Sequence, residues 1–339
     1  MNRSVDRLRV PVSGITPGML AVGSFRHPDR GVPRFPTATA IAATLRRAGH
    51  EVRHHALQPA DSDANGVLFA ASYLDQRGRP VGLGVAAHDR DLAGLAAAEA
   101  AVDMWSGLWR TRRIVPAAGG RCGPGCSHER LIRAEIARFT ARGDDTVIIG
   151  KPPAGQSGTA IGSAAEADRL RVDPDHVSYV VWPGFVIEDA AEIIAALRTR
   201  FPRIRAAHPD MLCYSTSDYR AAARMTASTC DITLAFGYPE TMVHALTDPA
   251  EIRPEWLTGV ESIGVITPAG SDPAGLLDVL SGLGPVSVVR RTVSTEVVSA
   301  ARSRTVRHRA GAFAAVRAGR QFDELARNRI APVRQDERA

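Results

Sequence analysis

The sequence has few aromatic residues, few cysteines and no long apolar run. Phe, Trp and Tyr make up 5% of the 339 residues, and there are four cysteines. Four cysteines in a chain of this length do not form a disulfide scaffold, so we expect a reducing compartment, where a cysteine is a buried filler, a nucleophile or a metal ligand. No stretch approaches the roughly 20 apolar residues of a spanning helix. Residues 1–10 also lack the apolar region of a secretory signal, which favours a cytoplasmic protein without membrane contact.

The net charge of +6 is compatible with an anionic partner, either a nucleic acid or a phosphorylated metabolite. Arginines are spread along the chain, apart from a concentration at 290–320 and a short run at 110–113. Too few aromatic side chains accompany them to build the stacking groove that single-stranded nucleic acids require. We therefore expect a small-molecule ligand and no nucleic acid.

Short apolar segments alternate with helical periodicity in three rounds. The first round has an apolar segment at 19–24 and a helical pattern at 37–48, and later rounds open near residues 119 and 211. This alternation predicts an α/β protein of three related small lobes, with mostly parallel sheets around a central cleft. The predicted parts are lobe 1 (17–118), lobe 2 (119–208), lobe 3 (209–289) and a basic C-terminal extension (290–339) with a helical pattern at 312–327.

Three cysteines occupy the starts of the second and third rounds. Cys213 lies between a short strand and a helix, a junction that faces the ligand-binding side of a parallel sheet. Cys122 and Cys126 lie in a Gly-rich turn, Cys-Gly-Pro-Gly-Cys-Ser-His, before another helix. A thiolate at a helix N-terminus is electrostatically favoured, which suits metal ligation. These three cysteines could meet at one centre, as a cluster site requires.

Other interpretations of the cysteines stay open at this level. Cys122 and Cys126 have no second motif at zinc spacing, and a lone cysteine such as Cys213 is more often a buried filler. A zinc site on Cys122, Cys126 and His128 is a further possibility. We interpret Cys230, at the head of a strand, as a packing residue.

Several segments resemble those of one enzyme family. Asp-Met-Leu-Cys-Tyr-Ser-Thr-Ser-Asp-Tyr-Arg at 210–220 is similar to the form Asp-x-Ile-Cys-Tyr-Ala-Thr-Gln-Asn-Arg, and Cys126 with its helix is similar to a segment that starts Ala-Thr-Cys-Pro. The stretch 179–201 and Thr-Pro-Ala-Gly-Ser-Asp-Pro at 267–273 also have counterparts. The family is LytB/IspH, the 4-hydroxy-3-methylbut-2-enyl diphosphate reductases of isoprenoid biosynthesis, and the resemblance runs from about residue 126 to 283.

The resemblance implies a [4Fe–4S] cluster on three cysteines, one from each lobe, with the fourth iron open to the substrate's hydroxyl. Cys126 and Cys213 would be the ligands from the second and third lobes. His88 and Ser271 would face the substrate's diphosphate, and Lys151 could pair with phosphate. A reductase of this type also implies an electron donor such as ferredoxin or flavodoxin.

The chain departs from the family pattern at several functional positions. The loop at 34–39, which corresponds to the family's first-lobe turn, has no cysteine. The His-Pro-Glu motif that supplies proton transfer is replaced by Gly-Lys-Pro-Pro-Ala-Gly-Gln-Ser-Gly-Thr at 150–159, and Lys151 cannot do the work of the missing glutamate at neutral pH without a large pKa shift. The Thr-Gln-Thr-Thr and Asn-Ser-Ser-Asn segments read Val-Trp-Pro-Gly at 181–184 and Gly-Tyr-Pro-Glu at 237–240. Together these losses imply a changed substrate or reaction.

Two hypotheses follow. In the first, the chain is an iron–sulfur oxidoreductase of altered specificity acting on an allylic substrate, which can be a diphosphate. Cys122 could replace the missing first-lobe ligand, or an Asp, a His or a small thiol could complete the site instead. In the alternative, the chain is cluster-free, and its cleft is a ligand-binding module or the site of a non-redox enzyme. Trp182, Phe185 and Tyr238 would make that cleft more apolar, which favours a larger and less phosphorylated ligand.

Overall fold

The computed structural model describes residues 5–60, 62–119, 122, 125–236, 244–268 and 273–296. These residues form fifteen strands and seven α-helices. The strands are β1 (Asp6–Val12), β2 (Met19–Val22), β3 (Glu51–His54), β4 (Gly66–Leu74), β5 (Pro80–His88), β6 (Arg112–Ala118), β7 (Asp145–Ile149), β8 (Thr159–Ile161), β9 (Val177–Val181), β10 (Arg205–Ala206), β11 (Ile232–Phe236), β12 (His244–Leu246), β13 (Ser262–Ile266), β14 (Val286–Val288) and β15 (Arg291–Thr292). The helices are α1 (Ala38–Arg47), α2 (Leu92–Gly107), α3 (Ser127–Thr140), α4 (Ala164–Arg169), α5 (Ile187–Arg200), α6 (Ser215–Thr229) and α7 (Ala274–Ser281).

The chain divides into two compact units. The first is made of Met1–Gly120 and Tyr219–Val293, and the second begins with Arg121–Asp218. Nine of the described strand pairings are parallel and three are antiparallel, so the prediction of an α/β protein with mostly parallel sheets is confirmed. The lobe boundaries at 17–118, 119–208 and 209–289 stay a prediction. The extension predicted at 290–339 lies outside the described residues from residue 297 onward.

The first unit contains two sheets. One has the order β1-β4-β5-β2-β3, and the other has the order β12-β11-β13-β6-β14, with β15 also paired to β6. The second of these sheets is parallel at every described pairing. Its core is shared with α2 and α7, where Trp105, Leu276 and Leu280 are almost fully buried.

The first sheet differs from the sequence prediction for this region. A βαβ pattern predicted parallel strands, but only β2 and β3 pair in parallel, and β1, β4, β5 and β2 are antiparallel neighbours. The reason is the turn between β4 and β5, where the Asp75 carboxylate accepts the backbone N–H groups of Arg77 and Arg79. A turn this short returns the chain antiparallel, because parallel neighbours need a long crossover.

The second unit has one parallel sheet with the order β10-β9-β7-β8. Strands β7 and β9 are short, mostly apolar strands of the second round in the sequence pattern. Their side chains alternate between two cores, as the strand period of two requires. Ile148 and Val180 pack against α3, whereas Val147, Ile149 and Val181 pack with residues of α5. Both faces of this sheet are therefore covered by helices.

Among the described residues, no helix combines the length and the apolar character that crossing a bilayer would take.

Candidate metal centre

Cys126 takes its position from the start of α3 in the second unit. It is the N-cap residue of this helix, with an extended backbone (φ −54°, ψ 132°), and its carbonyl accepts the Glu129 N–H. Gly125, just before it, has φ +86°, a conformation that only glycine adopts without strain. The glycine of this turn therefore lets the chain reverse directly into the helix and leaves the Cys126 side chain at the helix N-terminus.

Cys213 lies between a single 3-10 turn, Pro209–Met211, and the start of α6. Its side chain is buried. Cys122 is partly buried and approaches the loop after β9, because a Cβ placed on Gly184 would lie 3.9 Å from the Cys122 sulfur. This loop follows the carboxyl end of a parallel strand, which is where α/β sheets usually bind ligands.

The three cysteines converge on one point. The Sγ atoms of Cys122 and Cys213 are 3.3 Å apart, and those of Cys126 and Cys213 are 3.9 Å apart. All three sulfurs lie within 4.8 Å of one another, and none of them is in a disulfide. Cys230 lies outside this group and is partly buried, and burial raises the pKa of its thiol. All three members of the group belong to the second unit.

The electrostatics of the group disfavour three free thiolates. Burial raises the pKa of the Cys122 thiol, and the neighbouring sulfurs raise it further. Burial also acts to raise the pKa of Cys213, but its hydrogen bonds with Ser215 and with the other two cysteines outweigh burial and hold the pKa below its usual value. Three thiolates this close repel one another unless a positive ion lies between them. The donor set therefore fits a thiophilic metal centre, and three protein ligands leave one position free.

His128 is beside this group but is not part of it. Its Nδ1 is 3.6 Å from the Cys126 sulfur, yet the set of ligand atoms within 4.8 Å of one another includes Cys213 rather than His128. The third member of the group is thus Cys213, whereas the zinc interpretation of the sequence had placed His128 beside Cys122 and Cys126.

Trp182 does not line an apolar cleft, contrary to the sequence expectation. Its side chain is 7% exposed and packs in the α3-side core with Ile132 and Phe139. As the residue after β9, it continues the strand alternation and points to the α3 face. Phe185 packs against the core on the opposite face of the sheet. Tyr238 lies outside the described residues.

Arg133 covers the buried Trp182 ring and ties α3 to the loop after β7. Its guanidinium carbon is 5.3 Å from the ring centroid, and its nitrogens donate to Glu129 (2.7 Å) and Gln156 (2.6 Å). The side-chain hydrogen bond from Arg133 lowers the pKa of Glu129. The guanidinium is therefore engaged by protein groups rather than left for an anionic ligand.

The predicted substrate-binding residues His88, Lys151 and Ser271 belong to different parts of the chain, and their shared role stays a prediction. His88 ends β5 in the first unit, where its Nδ1 is 3.1 Å from the Asp89 carboxylate. Lys151 belongs to the second unit and is exposed in the loop after β7. Ser271 lies outside the described residues.

A second group of possible ligand atoms, in the first unit, has a structural explanation. Asp6, His27 and Asp29 place three such atoms within 4.8 Å of one another. However, the buried His27 ring is already satisfied, since its Nδ1 accepts the N–H groups of Asp29 and Arg30, and its Nε2 is 3.1 Å from the Asp6 carboxylate. The histidine therefore holds a turn against β1.

One contact of the centre escaped the sequence analysis. The Ser215 hydroxyl is 3.5 Å from the Cys213 sulfur. The available signal was the spacing, because a hydroxyl two residues after a cysteine at a helix start can reach back to the sulfur.

Comparison with known proteins identifies relatives of this chain. It is 29% identical over 202 residues to 4-hydroxy-3-methylbut-2-enyl diphosphate reductase 2 of Mycobacterium bovis, covering 51% of this chain and 61% of that protein. It is 26% identical over 269 residues to the Burkholderia mallei protein of the same name, covering 72% and 77%. The chain thus spans about three fifths of the length of the first curated relatives.

Structural comparison gives a weaker likeness, and no family model matches the chain. The E-1-hydroxy-2-methyl-but-2-enyl-4-diphosphate reductase of Plasmodium falciparum aligns with a TM-score of 0.39 and 14% identity, over 58% of this chain and 78% of that one. The chain is thus similar in sequence, over part of its length, to the LytB/IspH reductases.

Proposed function

We propose that this chain is an iron–sulfur oxidoreductase of the LytB/IspH type, acting on an allylic substrate with a specificity different from that of its relatives. The curated relatives are named 4-hydroxy-3-methylbut-2-enyl diphosphate reductases. A diphosphate is therefore the first substrate class to test, and ferredoxin or flavodoxin the first electron donors.

The observation that carries this proposal is the convergence of Cys122, Cys126 and Cys213. Cys122 supplies the third thiol that the loop at 34–39 lacks. With Cys122 as a ligand, the whole donor set comes from the second unit, and no ligand from the first unit is required.

The three cysteines would hold a [4Fe–4S] cluster. When bound, such a cluster supplies electrons and one open iron position for the substrate's hydroxyl. Cys213 immediately precedes α6 and Cys126 caps α3, so two of the three ligands are positioned by helix starts, whereas Cys122 lies outside the helices and strands. A site on rigid elements keeps its ligand geometry better than a site on loops.

The proposed substrate contacts are His88, Lys151 and Ser271. Lys151 is exposed in a loop at the carboxyl end of β7, in the unit that holds the cysteines, and its ammonium can pair with a phosphate as a point charge. Because the acid of the family's His-Pro-Glu motif is absent, we propose that the substrate or the reaction differs from that of the relatives.

A second candidate function rests on the sulfur separations. A tetrahedral ion with metal–sulfur bonds of about 2.3 Å has ligand sulfurs roughly 3.8 Å apart. The Sγ–Sγ distances of 3.3 Å (Cys122–Cys213) and 3.9 Å (Cys126–Cys213) lie on either side of this separation. The sulfurs around a cluster stand further apart, because a cube of irons and sulfides lies between them. A single zinc-like ion would make the chain a cluster-free member that binds a ligand or catalyses a non-redox reaction.

Anaerobic purification followed by iron, sulfide and zinc quantitation tests both candidates. The variants are Cys213→Ser and Cys122→Ser, with Cys230→Ser as the matched control because Cys230 lies outside the group. We expect about four irons and four sulfides per chain in the wild type and in the control. Both should be lost in the other two variants.

The other outcomes are equally informative. One zinc per chain without sulfide, lost in the same two variants, establishes the single-ion candidate. Retention of the cluster in Cys122→Ser contradicts the assignment of the third ligand. Absence of any bound metal from the wild type overturns both candidates.

A further inference from the structure

Two of the three sulfurs have a hydrogen-bonding side chain two residues further along the chain. His128 Nδ1 is 3.6 Å from the Cys126 sulfur, and the Ser215 hydroxyl is 3.5 Å from the Cys213 sulfur. Both distances are within the range of hydrogen bonds to sulfur. Each partner lies in the first turn of a long helix, His128 in α3 and Ser215 in α6. The arrangement is therefore repeated at two independent ligands.

The direction of these hydrogen bonds is fixed once the sulfurs bind a metal. A metal-bound thiolate has no proton and can only accept. The Ser215 hydroxyl must then donate to Cys213, and His128 must carry its proton on Nδ1 and donate to Cys126. The Ser215 backbone N–H also bonds the Cys213 sulfur. The Cys122 sulfur differs from the other two, because its hydrogen-bond partners are the sulfurs of Cys213 and Cys126.

We infer that His128 and Ser215 are positioning residues of the metal centre, which donate hydrogen bonds to two of its ligand sulfurs and withdraw negative charge from them. Hydrogen bonds to ligand sulfurs are a main determinant of the reduction potential of an iron–sulfur centre. They stabilise the reduced state, which carries one more negative charge. The redox consequence rests on the proposed function, whereas the hydrogen bonds apply to any thiolate-bound cation.

The placement at helix starts reinforces the same effect. Helices α3 and α6 have 14 and 15 residues, and the N-terminus of each carries partial positive charge from its unpaired N–H groups. Cys126 and Cys213 thus receive a side-chain donor and a helix N-terminus together. A centre built this way should be easier to reduce than one whose sulfurs lack donors.

Cobalt(II) added to the metal-free full-length chain tests the hydrogen bonds directly. The readout is the energy of the sulfur-to-cobalt charge-transfer band, which falls when a thiolate donates charge more readily. We expect the band of Ser215→Ala to move to lower energy than that of the wild type. Ser215→Thr keeps the hydroxyl and should restore the wild-type band. Ser127→Ala, an exposed serine in the first turn of α3, is the control and should leave the band unchanged.

The midpoint potential of the iron-loaded protein provides the second readout. Ser215→Ala and His128→Ala should each lower the reduction equilibrium constant up to about tenfold, which is roughly 59 mV for one electron. A cobalt band that is the same in Ser215→Ala and Ser127→Ala overturns the inference, as does failure of the wild type to bind cobalt. A band shift in a protein that takes up no iron or sulfide supports the hydrogen bonds and rejects the proposed function.

Discussion

Replacing Arg112 tests a buried charge that has no carboxylate partner among the described residues. Arg112 is 2% exposed, and its guanidinium donates to the carbonyls of Leu283 (3.0 Å), Val260 (3.2 Å) and Leu257 (3.3 Å). These contacts join β6 to the segments that flank β13 and α7 in the first unit. The change to test is Arg112→Met, which keeps the length of the stem and removes every donor.

The expected loss follows from two opposing terms. Hydrogen bonds from a charged donor contribute roughly 1.5–3 kcal/mol each, so three contribute about 4.5–9 kcal/mol. Burial lowers the pKa of Arg112 to about 10, and this penalty on the charged form is worth about 3 kcal/mol. The hydrogen bonds outweigh the burial cost. We expect Arg112→Met to lower the free energy of unfolding by about 3 kcal/mol.

Urea unfolding followed by tryptophan fluorescence measures this change. Three of the four tryptophans, Trp105, Trp109 and Trp256, lie in the first unit and report on it. Arg113→Met is the matched control, because Arg113 is the next residue of β6 and is exposed on the other face. Equal urea midpoints for the Arg112 and Arg113 variants would refute the reasoning. They would mean either that water hydrogen-bonds to the carbonyls after the substitution or that the burial cost of the Arg112 charge equals the stabilisation from its hydrogen bonds.

Two further changes test backbone conformation and a carboxylate. Gly284→Ala should lower the free energy of unfolding by about 2–3 kcal/mol, because φ is +121° and the new Cβ would lie 2.3 Å from the Arg110 carbonyl oxygen. Gly275→Ala, in the open first turn of α7, should instead raise it by about 0.5–1 kcal/mol in the same urea titration. The side-chain hydrogen bond from Arg138 lowers the pKa of Glu135 below its usual value. The Glu135 carboxylate therefore contributes to the free energy of unfolding above about pH 4.5, and this contribution is lost as the pH falls through the lowered pKa. Glu135→Gln should flatten the acid side of the stability–pH curve, and an unchanged curve would contradict this.

Secondary structure in the second unit was predictable because its sequence pattern is local. The apolar strands β7 and β9 and the amphipathic α3 and α5 each bury a face that follows from their own periodicity. The first sheet was not predictable in the same way. Strands β1 and β4 pair at positions such as Leu8 and Ala70, and whether a strand is parallel depends on the length of its connection and on its partner.

The candidate site also has a part that local sequence predicts and a part that it does not. The sequence marked Cys126 and Cys213 through the residues around them, and both stand at helix starts as predicted. The sequence left the third candidate ligand open, because Cys122 and Cys213 are 91 residues apart and no local pattern relates them. Trp182 was misjudged, since which face of the sheet a residue points to after a strand depends on the strand's register.

The sequence by itself determined the α/β class, the resemblance to LytB/IspH reductases and the choice of Cys126 and Cys213 as candidate ligands, because each of these is encoded in short stretches of pattern and motif. Only the tertiary structure decided that the three thiols converge within one unit, and that His128 and Ser215 reach two of the sulfurs. The physical reason is the distance along the sequence over which each kind of interaction acts. Periodicity and capping act over a few residues, whereas the meeting of Cys122 and Cys213 depends on how the loop after β9 and the start of α6 are carried to the same edge of a sheet.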